Sequence, residues 1–73
     1  MIRVENRKNE TLTRIRPIEG ESERLTAARA AVKLYGKKVA YVHNVGGHWY
    51  QAYANVKGQP GSYTSVGVNF ICE

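Results

Sequence analysis

Cysteine, proline and long hydrophobic runs are scarce in this 73-residue chain, which has one Cys, two Pro, one Trp and one Phe. The single thiol, Cys72, excludes an internal disulfide and fits a reducing compartment. No segment approaches the ~20 consecutive apolar residues of a membrane span, and the polar residues 1–10 lack the apolar core of a secretory signal. A chain of this size forms one small domain with little room for a deep substrate cavity. We therefore expect a cytoplasmic, monomeric protein that does not contact membranes.

Acidic residues are also few, since six of them stand against eleven basic ones and the net charge is +5. Five basic residues fall within the first sixteen positions, and five more lie in the predicted helix and in the turn that comes directly after it. A basic surface of this kind favours encounter with nucleic acid or with an acidic protein face. The same charge also lies within the range of about 2–8 that keeps a small domain soluble.

The remaining pattern predicts an α+β domain over residues 11–73. Residues 11–16 have the β-branched content of a strand, and Pro17 ends it or confines it to a sheet edge. Ser22 can cap a helix over about 23–35, and Leu25, Ala28, Val32 and Tyr35 make an apolar stripe that we expect to be buried. A hairpin over 39–56 and an alternating strand over 63–72 follow. We predict a three- to four-stranded, mostly antiparallel sheet with one helix packed across it, in the order strand-helix-strand-strand-strand.

The hairpin carries the only Trp, both His and three of the five Tyr. Gly46-Gly47 suits a two-residue turn, which would place Val45 opposite His48, His43 opposite Tyr50 and Tyr41 opposite Ala52. Trp49 and Tyr53 would then share one face with amide side chains. That face is either an open platform on which bases stack or the cover of a second small core.

Residues 1–10 form a basic segment that we expect to be a mobile arm or a short edge strand. Its alternation of apolar and basic residues fits insertion into a hydrophobic groove on a protein partner, with the charged residues at the rim. The predicted partner-binding residues are Ile2, Arg3, Val4, Arg7 and Lys8.

A second predicted surface would bind nucleic acid. Basic side chains would neutralise phosphates and hairpin aromatics would stack on bases. The residues assigned to it are Arg14, Arg16, Lys37, Lys38, Trp49 and Tyr53.

No arrangement of residues indicates catalysis, a metal or a cofactor. His43 and His48 flank the hairpin turn, but no third ligand is placed by spacing. No pair of carboxylates is placed for acid–base chemistry, and a lone Cys72 on an alternating strand is typical of a small buried residue. We predict a protein that is not an enzyme and holds no metal or cofactor.

In outline, with a compact basic α+β body and a charged N-terminal segment carrying Ile2, Arg3, Val4, Arg7 and Lys8, the chain resembles small phage-encoded regulators that bind host RNA polymerase. Among them it is similar to the sigma-displacing, antiterminating type of a lytic Xanthomonas phage. Phage inhibitors of nucleic-acid-guided defence complexes share the same outline. The resemblance implies a regulator that inhibits or modifies transcription by occupying a surface of RNA polymerase. A nucleic-acid-binding module is the alternative that the residues themselves suggest.

Overall fold

The computed structural model describes all 73 residues and shows one helix packed on a five-stranded antiparallel sheet. The α+β class is confirmed, with one strand more than the largest number expected. The elements are β1 (Ile2–Asn6), β2 (Thr11–Ile15), α1 (Glu23–Tyr35), a short 3-10 turn (Gly36–Lys38), β3 (Val39–Gly46), β4 (Trp49–Asn55) and β5 (Tyr63–Cys72). In space the strands run β2-β1-β5-β4-β3, so β2 and β3 form the two edges.

The additional strand is β1, which lies inside the sheet between β2 and β5. Ile2 is 1% exposed and Val4 is completely buried, and both belong to the core. Backbone bonds tie the chain ends together, because the Glu73 N–H donates to the Met1 carbonyl at 2.8 Å. The prediction of a mobile arm is therefore wrong: residues 1–10 form β1 and its turn into β2, and they belong to the domain.

Helix α1 begins and ends where its capping residues predicted. The Ser22 hydroxyl accepts the Leu25 N–H at 3.2 Å, and Gly36 ends the helix with a φ of 72° that favours glycine. Its buried face is different from the predicted one, because Thr26, Ala27, Ala30 and Ala31 face the sheet. No helix in the structure is long and apolar enough to cross a membrane.

The core lies between these small helical side chains and large side chains of the sheet. Phe70, Ile2 and Val4 are its largest fully buried members. Alanines on the helix let it approach the sheet closely enough to cover such bulky residues, because small and large side chains interlock across the interface.

The middle of the β3–β4 hairpin differs from the predicted register by one residue, since Tyr41 pairs with Tyr53 and Val42 with Ala52. Nearer the turn, Gly46 pairs with Trp49, a difference of two residues. Irregular pairing occurs at both ends of β3, between Val39 and Tyr41 and between Asn44 and Gly46, and it accounts for the shift. A one-residue shift moves side chains to the opposite face, so Val42 is buried under α1, while Tyr41 and His43 turn away from it.

The last strand, β5, matches its predicted bounds of 63–72 and contains a bulge. Gln51 pairs with Asn69, whereas Tyr53 pairs with Ser65, so β5 holds the extra residues between those pairs. Gly67 lies in this segment with a φ of 83°, and its N–H donates to the Ser65 hydroxyl at 3.1 Å.

Candidate functional site

One face of the sheet lies under α1, and the other is covered by no secondary-structure element; we call the second the open face. Because paired residues in a sheet share a face, the register assigns its members directly. Trp49, Ile71, Arg3 and Arg14 form one row across four strands. Next to it lies a row of His43, Gln51, Asn69, Glu5 and Thr11, followed by Tyr41, Tyr53 and Ser65.

Three tyrosines gather at one end of the open face; we call Tyr41, Tyr53 and Tyr63 the tyrosine cluster. The rings of the cross-strand pair Tyr41 and Tyr53 are stacked, with centroids 5.0 Å apart and planes 13° from parallel. The Tyr63 ring meets Tyr41 edge-on at 5.3 Å. Each of these pairs stabilises the side chains by about 0.5–1.5 kcal/mol beyond burial. Tyr41 and Tyr63 nevertheless remain 42% and 49% exposed.

Trp49 lies at the other end of β4, four residues and roughly 13 Å from Tyr53. Its side chain is 42% exposed and has no aromatic neighbour in contact. The residue paired with it on β3 is Gly46, which has no side chain, and the residue paired with it on β5 is Ile71. No side chain therefore lies directly opposite the indole on β3, and the ring is accessible to a ligand.

Two amide side chains occupy the middle of the open face. The Gln51 amide nitrogen donates to the Asn69 side-chain oxygen at 2.9 Å, and the Tyr53 hydroxyl donates weakly to the Gln51 oxygen at 3.4 Å. The Asn69 amide nitrogen donates to no protein group, and no buried polar side-chain atom lacks a partner. Hydrogen-bond donors are thus available to a ligand between Trp49 and the tyrosine cluster.

Arginines on β1 and β2 flank the aromatic side chains, and carboxylates hold them in place. Arg3 forms salt bridges with Glu5 and, at 3.2 Å, with Glu73. Arg14 Nε lies 3.9 Å from the same Glu73 carboxylate, and its side chain is 57% exposed. Arg14 is therefore the more accessible of the two cations, whereas the charge of Arg3 is largely balanced by its neighbours.

The structure brings together three of the six residues predicted to bind nucleic acid. Trp49, Tyr53 and Arg14 share the open face. Lys37 and Lys38 precede β3 at the opposite sheet edge from Arg14, and Lys38 Nζ lies 5.9 Å from the centroid of the Tyr35 ring. Arg16 follows β2, and its carbonyl accepts a hydrogen bond from Arg29.

The predicted partner-binding residues do not form one surface. Ile2 and Val4 are core residues of β1, so neither can enter a groove on another protein while the domain is folded. Arg3 lies on the open face, and Arg7 and Lys8 lie in the exposed turn between β1 and β2. The prediction failed because a strand inside a sheet and an inserting arm have the same apolar–polar alternation.

Tyr41 and Tyr63 are residues of the candidate site that the sequence did not identify. The predicted register paired Tyr41 with Ala52, which is buried under α1, whereas the observed register pairs it with Tyr53 on the open face. Tyr63 begins β5 opposite Asn55, and only the pairing of β4 with β5 brings it to the other tyrosines.

The two histidines and the cysteine lie in different surroundings. His43 is on the open face, whereas His48 Nδ1 lies 2.8 Å from a Glu23 carboxylate oxygen at the start of α1. Cys72 pairs with Ile2, and burial together with the nearby Glu23 raises the pKa of its thiol to about 11. The thiol is therefore protonated at neutral pH and is a weak nucleophile. No group of three or more potential ligands is arranged to hold a metal ion.

Comparison with known proteins returned no relative: no protein-family model, no curated protein and no solved structure matches the chain.

Proposed function

We propose that this protein binds single-stranded nucleic acid on the open face of its sheet. The observation that carries the proposal is Trp49, an exposed indole with a glycine beside it, on the same face as the tyrosine cluster. Bases stack on aromatic rings with little regard for sequence, and each stacked base contributes about 1–3 kcal/mol to affinity. Trp49 is the primary stacking site, because Tyr41 and Tyr53 already stack on each other and so present fewer free ring faces.

Charge supports the same ligand. The chain carries a net charge of +5, so a polyanion is attracted from a distance and releases counterions when bound. Arg14 lies in the same row as Trp49, three strands away, which corresponds to roughly 14 Å across the sheet. A single strand of nucleic acid with one base stacked on Trp49 could therefore extend along this row and place a phosphate near Arg14.

Single strands fit this surface better than duplexes do. In a duplex the faces of each base are already covered by its neighbours, so no base is free to stack on an indole. The amides of Gln51 and Asn69 lie between the aromatic groups, where they can bond the edge of an unpaired base. We therefore expect affinity for single strands to exceed affinity for duplex of the same length.

Other predicted functions receive no such support. A regulator that inserts Ile2 and Val4 into RNA polymerase would need side chains that the fold places in its core. Binding to RNA polymerase or to a nucleic-acid-guided defence complex stays a prediction from resemblance. A cytoplasmic location, where single-stranded RNA is abundant and a lone thiol stays reduced, is part of the proposed function.

Fluorescence anisotropy of labelled 12-nucleotide DNA and RNA single strands, with the matching duplexes, tests the proposal. We expect Trp49→Ala to weaken single-strand binding by about 5- to 150-fold, the equivalent of about 1–3 kcal/mol. Leu34→Ala is the matched control, because Leu34 is also 42% exposed but lies on α1. Wild-type protein that fails to bind single strands at low salt, or binds duplex equally well, would refute the proposal.

A further inference from the structure

Helix α1 turns two of its larger aliphatic side chains, Leu25 and Val32, away from the sheet. Leu25 is 60% exposed and Val32 is 52% exposed, with half-buried Ala28 between them; we call these three residues the outer stripe. Spacings of three and four residues place them in one line along about two helical turns, roughly 10 Å long. The helix therefore has two apolar faces, and the sheet covers only the one made of small residues.

The outer stripe lies in a shallow groove with charged edges. Glu21, Arg29 and Lys33 line this groove with the three apolar residues. Arg29 is already bound by Glu21, since its Nε and Nη2 each lie 3.0 Å from a carboxylate oxygen. Lys33 forms no salt bridge, and neither does Arg24, which helical geometry places along the other edge. An unpaired cation therefore stands on each side of the stripe.

These charges distinguish between occupants. A second copy of the helix, packed antiparallel so that Leu25 meets Val32, would place both Arg24 side chains along one edge of the contact and both Lys33 side chains along the other. It would supply no free carboxylate from Glu21, because Arg29 already binds it. Nucleic acid would find cations, but the aromatic residue that continues the line, Tyr35, packs against the core. A helix with an apolar face edged by carboxylates would cover the outer stripe and would also form salt bridges with the unpaired Arg24 and Lys33.

We propose that the outer stripe is a docking site for a short amphipathic helix of a partner protein, with acidic residues along the edges of its apolar face. The site lies on the side of the molecule opposite the open face, so both can be occupied together. It does not depend on nucleic-acid binding, and a partner seated here would be joined to whatever the open face holds.

Titration of the 15N-labelled protein with a synthetic peptide, followed by heteronuclear NMR, tests this docking site. The probe is a peptide of about 16 residues, long enough to form a helix, with Leu along one face and Glu along both edges. A matched peptide carries Lys in place of each Glu. We expect the acidic peptide to shift the amide signals of Leu25, Ala28 and Val32 saturably, and the basic peptide to leave them unchanged.

Two variants sharpen the test. The double variant Leu25→Ser with Val32→Ser should bind the acidic peptide at least tenfold more weakly. The Leu34→Ser variant, changed on the far side of the same helix, should bind it as the wild type does. Charge reversal at Arg24 and Lys33 to Glu should transfer the preference to the basic peptide. No shift at the stripe with millimolar peptide, equal shifts with both peptides, or self-association lost in the Leu25→Ser variant would each overturn the proposal.

Discussion

Replacement of Val4 by alanine tests the position of β1 inside the sheet. The Val4 side chain is completely buried and pairs with Thr13 on β2 and Phe70 on β5. Removing two methyl groups costs about 1.6 kcal/mol in transfer free energy, and the remaining cavity raises the loss to about 2–3 kcal/mol. A domain of 73 residues has a free energy of unfolding of about 4–11 kcal/mol, so this loss is a large share of the total.

Urea unfolding followed by far-ultraviolet circular dichroism measures the effect. With a slope of about 1 kcal/mol per molar urea, Val4→Ala should lower the unfolding midpoint by about 2–3 M. Leu12→Ala is the matched control, because Leu12 lies in the adjacent strand but is 53% exposed, and we expect a change within about 0.5 kcal/mol. Equal stabilities for Val4→Ala, Leu12→Ala and the wild type would mean that residues 1–10 are an arm and that the β1 assignment is wrong.

Two further predictions concern the start of α1. Ser22→Ala removes the hydroxyl that accepts the Leu25 N–H, and urea unfolding should show a loss of about 1 kcal/mol; an unchanged midpoint would contradict the cap. Hydrogen bonds from Arg29, Thr26 and the Ile18 N–H lower the pKa of Glu21 from near 4.5 to about 2. Since protonation of Glu21 therefore favours the unfolded state, its contribution is complete above pH 4.5 and is lost as the pH falls towards 2. Between pH 5.5 and 2.5 the melting temperature should therefore fall more steeply for the wild type than for Glu21→Gln. An equal fall in both proteins would contradict this ion pair.

Local signals in the sequence were enough to predict α1 and β5. Ser22 and Gly36 mark the ends of α1 through their capping conformations, and the alternation around Val68 and Phe70 marks β5. Such signals depend only on residues close in sequence, so they can be recognised without knowledge of the fold. The buried face of α1 could not be found in the same way. The sequence predicted that larger residues such as Leu25 are buried. The helix lies so close to the sheet that only its smaller side chains fit between them.

Membership of the open face depended on register, which the sequence did not reveal. The irregular pairing at both ends of β3 changes which of Tyr41 and Val42 faces α1, and a bulge carries no strong signature in a single sequence. Trp49 and Tyr53 were nevertheless assigned to a common face, because they belong to one unbroken strand. That Arg14 shares this face with them follows only from the order of all five strands, which depends on contacts between distant parts of the chain.

Fluorescence of Trp49 is the most direct measure of the proposed binding surface, because it is the only tryptophan in the chain. Titration with an unlabelled single strand of poly(U) at 50 mM salt should quench its emission saturably, since a base stacks on the indole. Raising the salt to 200 mM should reverse much of the quenching, because counterion release drives part of the binding. Emission that stays unchanged while the strand binds, or a strand that does not bind at all, would contradict the assignment of the open face as a nucleic-acid surface.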